Sequence, residues 1–360
     1  MRIAQVAPLY ESVPPKLHGG TERAVSYLTE ELVAQGHDVT LFASGDSKTT
    51  ARLVSTYPRA LRLDKNSKDH LVHHLVMLEE VFRRTADFDV VHFHLDYLHY
   101  PLSRRGNLSQ LTTLHGRLDN PDLEALYREY LEMPVVSVSN TQREPLPYAN
   151  WLSTVYPGLP LTLHALHEEP GDYLAFVGRI SPEKRVDRAI EIARRAGLPL
   201  RIAAKVERAD RAYFNREIRP LLDQSHVSFL GEVSEREKDA LLGKARALLL
   251  AGDWKEPFGL VLTEALSCGT PVIAWRSAAV EEVLEHGTTG YLVDDLSDAV
   301  AAVGRLDALS RRHCRAAFEE RFSARRMARD YVALYQRLLA DSHRRPLLPR
   351  RYDRRATHVM

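Results

Sequence analysis

Short apolar runs alternate with segments of helical period along this chain, and the whole alternation occurs twice. A buried strand followed by an amphipathic helix, repeated, produces a parallel sheet covered by helices on both faces. In the first half RIAQVAP (2–8) reads as a buried strand, followed by a loop containing Gly19 and Gly20. Thr21 is placed to cap a helix whose apolar positions Ala24, Val25, Leu28 and Leu32 recur at helical steps. Gly36 ends that helix, and HDVTLFA (37–43), DVVHFH (89–94), LTTLHG (111–116) and PVVSVS (134–139) supply further strands. A loop rich in Pro, His and Glu (157–172) separates the halves, and the theme then restarts. YLAFVGR (173–179), LRIAA (200–204), HVSFLG (226–231), ALLLA (247–251) and PVIAW (271–275) are its strands. Ser181 and Pro182 open a helix with the buried stripe Val186, Ala189, Ile190 and Ala193, closed by Gly197. Ser234 and Glu237 have the spacing of a capping box. The expected fold is α/β: two doubly wound, Rossmann-like domains, residues 1–165 and 166–325. A last amphipathic helix runs from Ala324 to Leu339, with Met327, Tyr331, Leu334, Tyr335 and Leu338 on one face, and the Arg- and Pro-rich tail (343–360) is expected to be disordered.

The length supports this division, because 360 residues exceed what one compact core usually holds. A net charge of +1 selects neither nucleic acid nor an acidic surface as partner. Two cysteines far apart, Cys268 and Cys314, argue against a disulfide framework or a thiolate metal site and fit a cytoplasmic protein. The apolar part of MRIAQVAPLY is too short for a signal peptide, and no run reaches the roughly 18 apolar residues of a membrane span. Membrane contact is at most peripheral.

The segment KEPFGLVLTEALSCGTPVIA carries the most chemistry. After the strand ALLLA comes a loop, Gly252 to Pro257, and then a helix expected to begin near Phe258 and to end at Gly269. Glu256 lies in the loop, and Glu264 about two turns into the helix. The helix start offers N–H groups of Phe258, Gly259 and Leu260 to an anion. A carboxylate at each end and anion-binding amides between them suit a ligand with phosphates in the middle and hydroxyls at both ends, such as a nucleotide sugar.

Glu256 and Glu264, with Pro257-Phe258-Gly259 and Cys268-Gly269-Thr270-Pro271-Val272, resemble the donor-site signature of family 4 retaining glycosyltransferases, and the resemblance extends over residues 1–340. It implies the GT-B arrangement, two Rossmann-like domains facing an inter-domain cleft, with the last helix (326–342) crossing back onto the first domain. It also implies transfer of a hexosyl unit from a nucleotide diphosphate sugar to an acceptor hydroxyl, with no bound metal and no other cofactor. UDP-glucose is the favoured donor and GDP-mannose the second. In this reading Glu264 accepts hydrogen bonds from ribose hydroxyls and Glu256 from those of the transferred sugar. Arg179 and Lys184, in VGRISPEKRVD, hold the diphosphate, a task suited to a bidentate guanidinium and a point charge. Lys184 is expected in the first turn of a helix, where a cation is disfavoured without an anion. Gly19 and Gly20 let the backbone approach the diphosphate, and His115 hydrogen-bonds a sugar hydroxyl near the reacting carbon. The base lies between Phe229 and Val233, near Val206.

Other residues are open. His92, His94, Asp96 and His99 lack the pattern of a full metal-ligand set, although His94 or Asp96 is a candidate near the acceptor. Tyr10, His18, Tyr97 and Trp151 are further candidate acceptor contacts. Where many family members carry a glycine-rich turn, this chain reads AAKVERADRAYFNREI, which leaves the nucleotide undetermined and makes Lys205 a candidate contact. Two alternative functions stand: a phosphorylase or sugar-phosphate synthase on the same fold, and a non-catalytic nucleotide-sugar-binding protein. No GxGxxG follows the first strand, which disfavours a dinucleotide enzyme.

Overall fold

The computed structural model describes residues 1–16, 19–106, 108–252 and 254–344, so His18 and the tail beyond 344 lie outside it. Two parallel sheets form. The first contains Arg2–Val6 (β1), Asp38–Phe42 (β2), Arg52–Val54 (β3), Val90–Phe93 (β4), Gln110–Leu114 (β5), Val135–Ser137 (β6) and Trp151–Thr154 (β7), in the order β3-β2-β1-β4-β5-β6-β7. The second contains Leu174–Arg179 (β8), Leu200–Lys205 (β9), Val227–Gly231 (β10), Ala247–Leu250 (β11), Val272–Trp275 (β12) and Gly290–Val293 (β13), in the order β10-β9-β8-β11-β12-β13. The strand order reverses direction between β1 and β4 and between β8 and β11. Ligands of open parallel sheets bind beyond the strand ends at such points.

Three strands carry no clear signal in the sequence. β3 and β7 are edge strands with half-exposed residues, so no apolar run marks them. β13 is fully buried and was not read from the sequence.

Three helix starts differ from expectation. The first helix spans Gly20–Ala34 with Gly19 at its N-cap, so Thr21 is inside the first turn rather than capping it. Ser181 and Pro182 open only a 3-10 turn, Pro182–Lys184; Arg185 then takes a left-handed φ of 51°, and the α-helix begins at Val186. Lys184 therefore precedes the helix, and the misfit of a cation in its first turn does not arise. The helix after β11 spans Leu260–Ser267, with Gly259 as N-cap at a left-handed φ of 81°. The Ser234–Glu237 capping box forms as read.

The last helix, Ala324–Arg344, packs against helix Gly20–Ala34 and buries Tyr331 and Tyr335. Beside its start the chain crosses between the halves twice. Leu159 N–H donates to Phe322 O at 2.9 Å and Ala324 N–H donates to Leu159 O at 2.8 Å. One apolar core joins Ile3, Leu28, Val90 and Leu111 with Leu248, Leu262, Phe322 and Met327. Burial of each such side chain contributes about 1.5–3 kcal/mol. No helix among the described residues is long and apolar enough to cross a membrane.

Candidate functional site

The strand ends of the two sheets face a cleft of about 420 Å³, lined by Gly19, Gly20, His115, Arg179, Lys184, Glu256, Phe258, Gly259, Leu260 and Glu264. All ten site residues read from the sequence therefore share one cavity of small-ligand size.

The second domain builds the charged wall. β8 ends at Arg179, whose guanidinium donates to Glu183 Oε1 at 2.5 Å and lies 3.4 Å from Asp210 Oδ2. The 3-10 turn after it carries Lys184, whose ammonium pairs with Glu256. The indole N–H of Trp254 donates to the same carboxylate at 2.7 Å, and the Trp254 ring centroid lies 5.1 Å from the Lys184 ammonium. Arg117 of the first domain stacks over the same indole at 4.7 Å, so Trp254 touches both sides of the cleft.

Glu264 lies in the second turn of its helix, nearer the start than expected because the helix begins at Leu260. The terminal amides of that helix accordingly belong to Leu260 and Val261; Phe258 points its ring into the core between Tyr156 and Phe322, at 5.9 and 6.0 Å. The left-handed Gly259 makes the sharp entry to the helix. A Cβ there would stand 3.3 Å from Glu256 Cγ, so the turn admits only glycine without strain.

The sequence reading missed Lys238, Glu235 and Arg23. Lys238, on helix Glu235–Gly243, donates to Glu264 at 2.6 Å and lies 2.8 Å from Glu235. Glu235 in turn pairs at 2.9 Å with Arg23 from the first domain. Burial alone would raise the Glu264 carboxyl, but the Lys238 charge and hydrogen bond bring it below its ordinary value. Burial likewise opposes the Lys238 charge, and Glu264 and Glu235 outweigh it. The capping box was the available signal: it places Lys238 one turn into a helix, on the side that turned out to be buried.

The first domain builds a nearly neutral wall. A Cβ on Gly19 would meet Pro15 at 2.9 Å, and one on Gly20 would stand 3.8 Å from Leu260 across the cleft. His115 follows β5, and burial lowers its imidazole to about 4, so the ring is neutral at ordinary pH. Its Nε2 meets His94 Nδ1 at 2.8 Å.

Among the other candidates, Lys205 lines the cleft near Glu232 and Val233. Tyr10, Tyr97, Trp151 and Asp96 do not line it. Trp151 donates its indole N–H to Leu146 O, and Tyr10 packs on His74. His99 bonds Ser103 and Thr112 inside the core. Among the described residues no group of three or more His, Cys, Asp or Glu is placed to hold a metal ion.

The family model for glycosyl transferases group 1 matches residues 165–325, and that for glycosyltransferase family 4 matches residues 18–151. A GDP-mannose-dependent alpha-(1-6)-phosphatidylinositol dimannoside mannosyltransferase of Mycobacterium tuberculosis is 26% identical over 352 residues, spanning 88% of this chain and 90% of its own. AviGT4, a glycosyltransferase involved in avilamycin A biosynthesis, is 26% identical and superimposes with a TM-score of 0.71 over 95% of this chain and 98% of that one. Sucrose-phosphate synthase from Thermosynechococcus elongatus, 17% identical, shares the fold with a TM-score of 0.76 over 95% of this chain and 100% of that one. The two family models fall on the two sheets in order, each contributing one wall of the cleft, and the chain belongs to the family 4 glycosyltransferases of GT-B fold.

Proposed function

We propose that the chain transfers a hexosyl unit from a nucleoside diphosphate sugar to an acceptor hydroxyl with retention at the anomeric carbon and without a metal. The observation that carries this reading is the convergence of Arg179, Lys184, Glu256, the Leu260 helix start and Glu264 on one cleft, opposite Gly19, Gly20 and His115. Glu264, held charged by Lys238, accepts from ribose hydroxyls. Arg179, Lys184 and the helix start hold the diphosphate. Glu256 and His115 take hydroxyls of the transferred sugar.

Charge is the central demand of the reaction. The bond from the anomeric carbon to the phosphate oxygen breaks, and its electron pair leaves with the diphosphate. Lys184, Arg179 and the helix amides stabilise that departing charge in fixed positions. The acceptor oxygen forms its bond on the same face, and its proton passes to the departing phosphate oxygen. Gly20 faces Leu260 of the opposite wall, and close approach of the two walls there excludes water.

Two observations favour a guanine nucleotide. In this reading the base lies toward Glu232, a lining residue 3.9 Å from the Lys205 ammonium, and its carboxylate suits the paired N–H donors of guanine. The mannosyltransferase relative is named for GDP-mannose. GDP-mannose is therefore placed ahead of UDP-glucose, the reverse of the order expected from the sequence alone.

Thermal stability of the purified protein against UDP, GDP, ADP and their sugars, without added metal, tests the reading. A ligand that binds only the folded state raises stability by about 2.7 kcal/mol at a hundredfold excess over its Kd. A nucleotide-specific upshift abolished by Lys184→Ala is the expected result. No shift with any nucleotide sinks the donor-site reading, and a shift without transfer to any hydroxyl leaves the non-catalytic alternative.

A further inference from the structure

Behind His115 runs a chain of buried polar side chains that the transfer step does not use. His115 Nε2 meets His94 Nδ1 at 2.8 Å, and His94 Nε2 meets the Gln5 carboxamide oxygen at 2.9 Å. The Gln5 amide nitrogen donates to Tyr335 Oη at 3.1 Å, and Tyr335 Oη meets His92 Nδ1 at 2.8 Å. His92 Nε2 meets Thr113 Oγ1 at 2.7 Å, and Thr113 meets Tyr331 Oη at 2.8 Å. Gln5 and His92 are fully buried and His94 is 4% exposed. Tyr331 and Tyr335 sit on the crossing helix. The chain therefore links that helix, through β1, β4 and β5, to the cleft.

Proton accounting restricts its state. A neutral imidazole donates from one nitrogen and accepts at the other. Burial lowers His92 and His94 well below the ordinary histidine value and His115 to about 4, so all three are neutral near neutral pH. The Gln5 oxygen only accepts, so His94 carries its proton on Nε2. His94 Nδ1 is then a lone pair. His115 must carry its own proton on Nε2 and donate it to His94. That leaves His115 Nδ1 as a lone pair with no partner among the described residues, on a ring that lines the cleft. Turning the Gln5 amide over would reverse these bonds and present an N–H instead.

We propose that Gln5 and His94 are positioning residues that fix His115 as a hydrogen-bond acceptor toward a hydroxyl of the transferred sugar. The owner of that hydroxyl rests on the donor-site reading above; the tautomer does not. The titratable groups facing His94 are His92 on β4, two residues before it, and His115 after β5. From the crossing helix Tyr335 reaches Gln5 and His92, and Tyr331 reaches Thr113. Gln5 on β1 is uncharged, so no ionised group meets His94 Nε2.

The test uses the full-length protein labelled with ¹⁵N-histidine. Two-bond ¹H–¹⁵N correlations distinguish the two tautomers, and His115→Asn assigns the His115 signals. The expected result is a neutral His115 protonated at Nε2. Protonation at Nδ1, or an averaged mixture, overturns the proposal. Gln5→Glu sharpens it, because a carboxylate beside Nε2 stabilises protonated His94. His94 would then donate from both nitrogens, and His115 would have to accept at Nε2 and turn its N–H to the cleft. The expected kcat of Gln5→Glu falls about tenfold on lowering the pH from about 8 to about 6, with no such fall in the wild type. A loss equal at all pH values marks a merely structural role and overturns it. If Gln5→Glu does not fold, His94→Phe removes the acceptor of the His115 proton, and both tautomers are expected; an unchanged single tautomer overturns the proposal. A protein with the expected tautomer that binds no nucleotide sugar supports the positioning of His115 and contradicts only the donor-site reading.

Discussion

Among the described residues, the charged side chains lining the cleft come almost entirely from the second domain: Arg179, Lys184, Lys205, Glu232, Glu235, Lys238, Glu256 and Glu264, against Arg23 from the first. The first domain contributes glycines and His115, backed by neutral rings and amides. Paired charges hold one wall, and hydrogen-bonded dipoles held neutral by burial hold the other. Charge belongs where a diphosphate must be bound and released. Neutral contacts belong where a sugar must be oriented.

The largest expected effect lies on the charged wall. Lys184→Ala removes the cation beside Glu256 and should lower transfer by about 10²–10³-fold, the range for loss of one positioned donor to a developing negative charge. A steady-state assay with a saturating donor checks it, and a loss below tenfold would remove Lys184 from the leaving-group site. Lys238→Met leaves Glu264 buried without its main partner and should cost about 3 kcal/mol of stability, read by urea unfolding. A near-zero change would mean that Lys238 is not what keeps the buried Glu264 carboxylate in the fold.

Gly20→Val tests the neutral wall. Its side chain would extend toward Leu260 across the cleft, raising KM for the donor about tenfold with little change in melting temperature. The smallest effect is in pH. His92, His94, His99 and His115 have lowered values in the fold, so the unfolded chain takes up protons first as pH falls through about 6.5. Their contribution is complete above that pH and is lost on acidification. Glu264, also lowered, yields only below its ordinary value of 4.5. Melting temperature should begin to fall near pH 6.5 in the wild type, and a His92→Phe, His94→Phe double variant should fall less steeply there.

Ten of the thirteen strands were legible because each is a compact apolar run bounded by polar turns; β3 and β7 are half-exposed edges that no apolar run marks. The helix starts were harder. Gly19 and Gly259 hold the N-caps with no side-chain hydrogen bond, and the left-handed Arg185 splits one expected helix in two. The site divided in the same way. Glu256, Glu264, Arg179 and Lys184 carry their chemistry in a motif. The capping box marks the helix that carries Glu235 and Lys238, but their pairings with Arg23 and Glu264, and that of Gln5 with His94, join partners distant in sequence, and no local pattern encodes those.

The paired crossings at Leu159 and at Phe322–Ala324 also bear on how the two halves can move. A single tether would let one half swivel freely about a point. Two strands of chain, laid side by side and laced by hydrogen bonds of 2.9 and 2.8 Å, resist twisting and leave bending about one line as the soft direction. Any opening about that line would change the width of the cleft and keep its alignment.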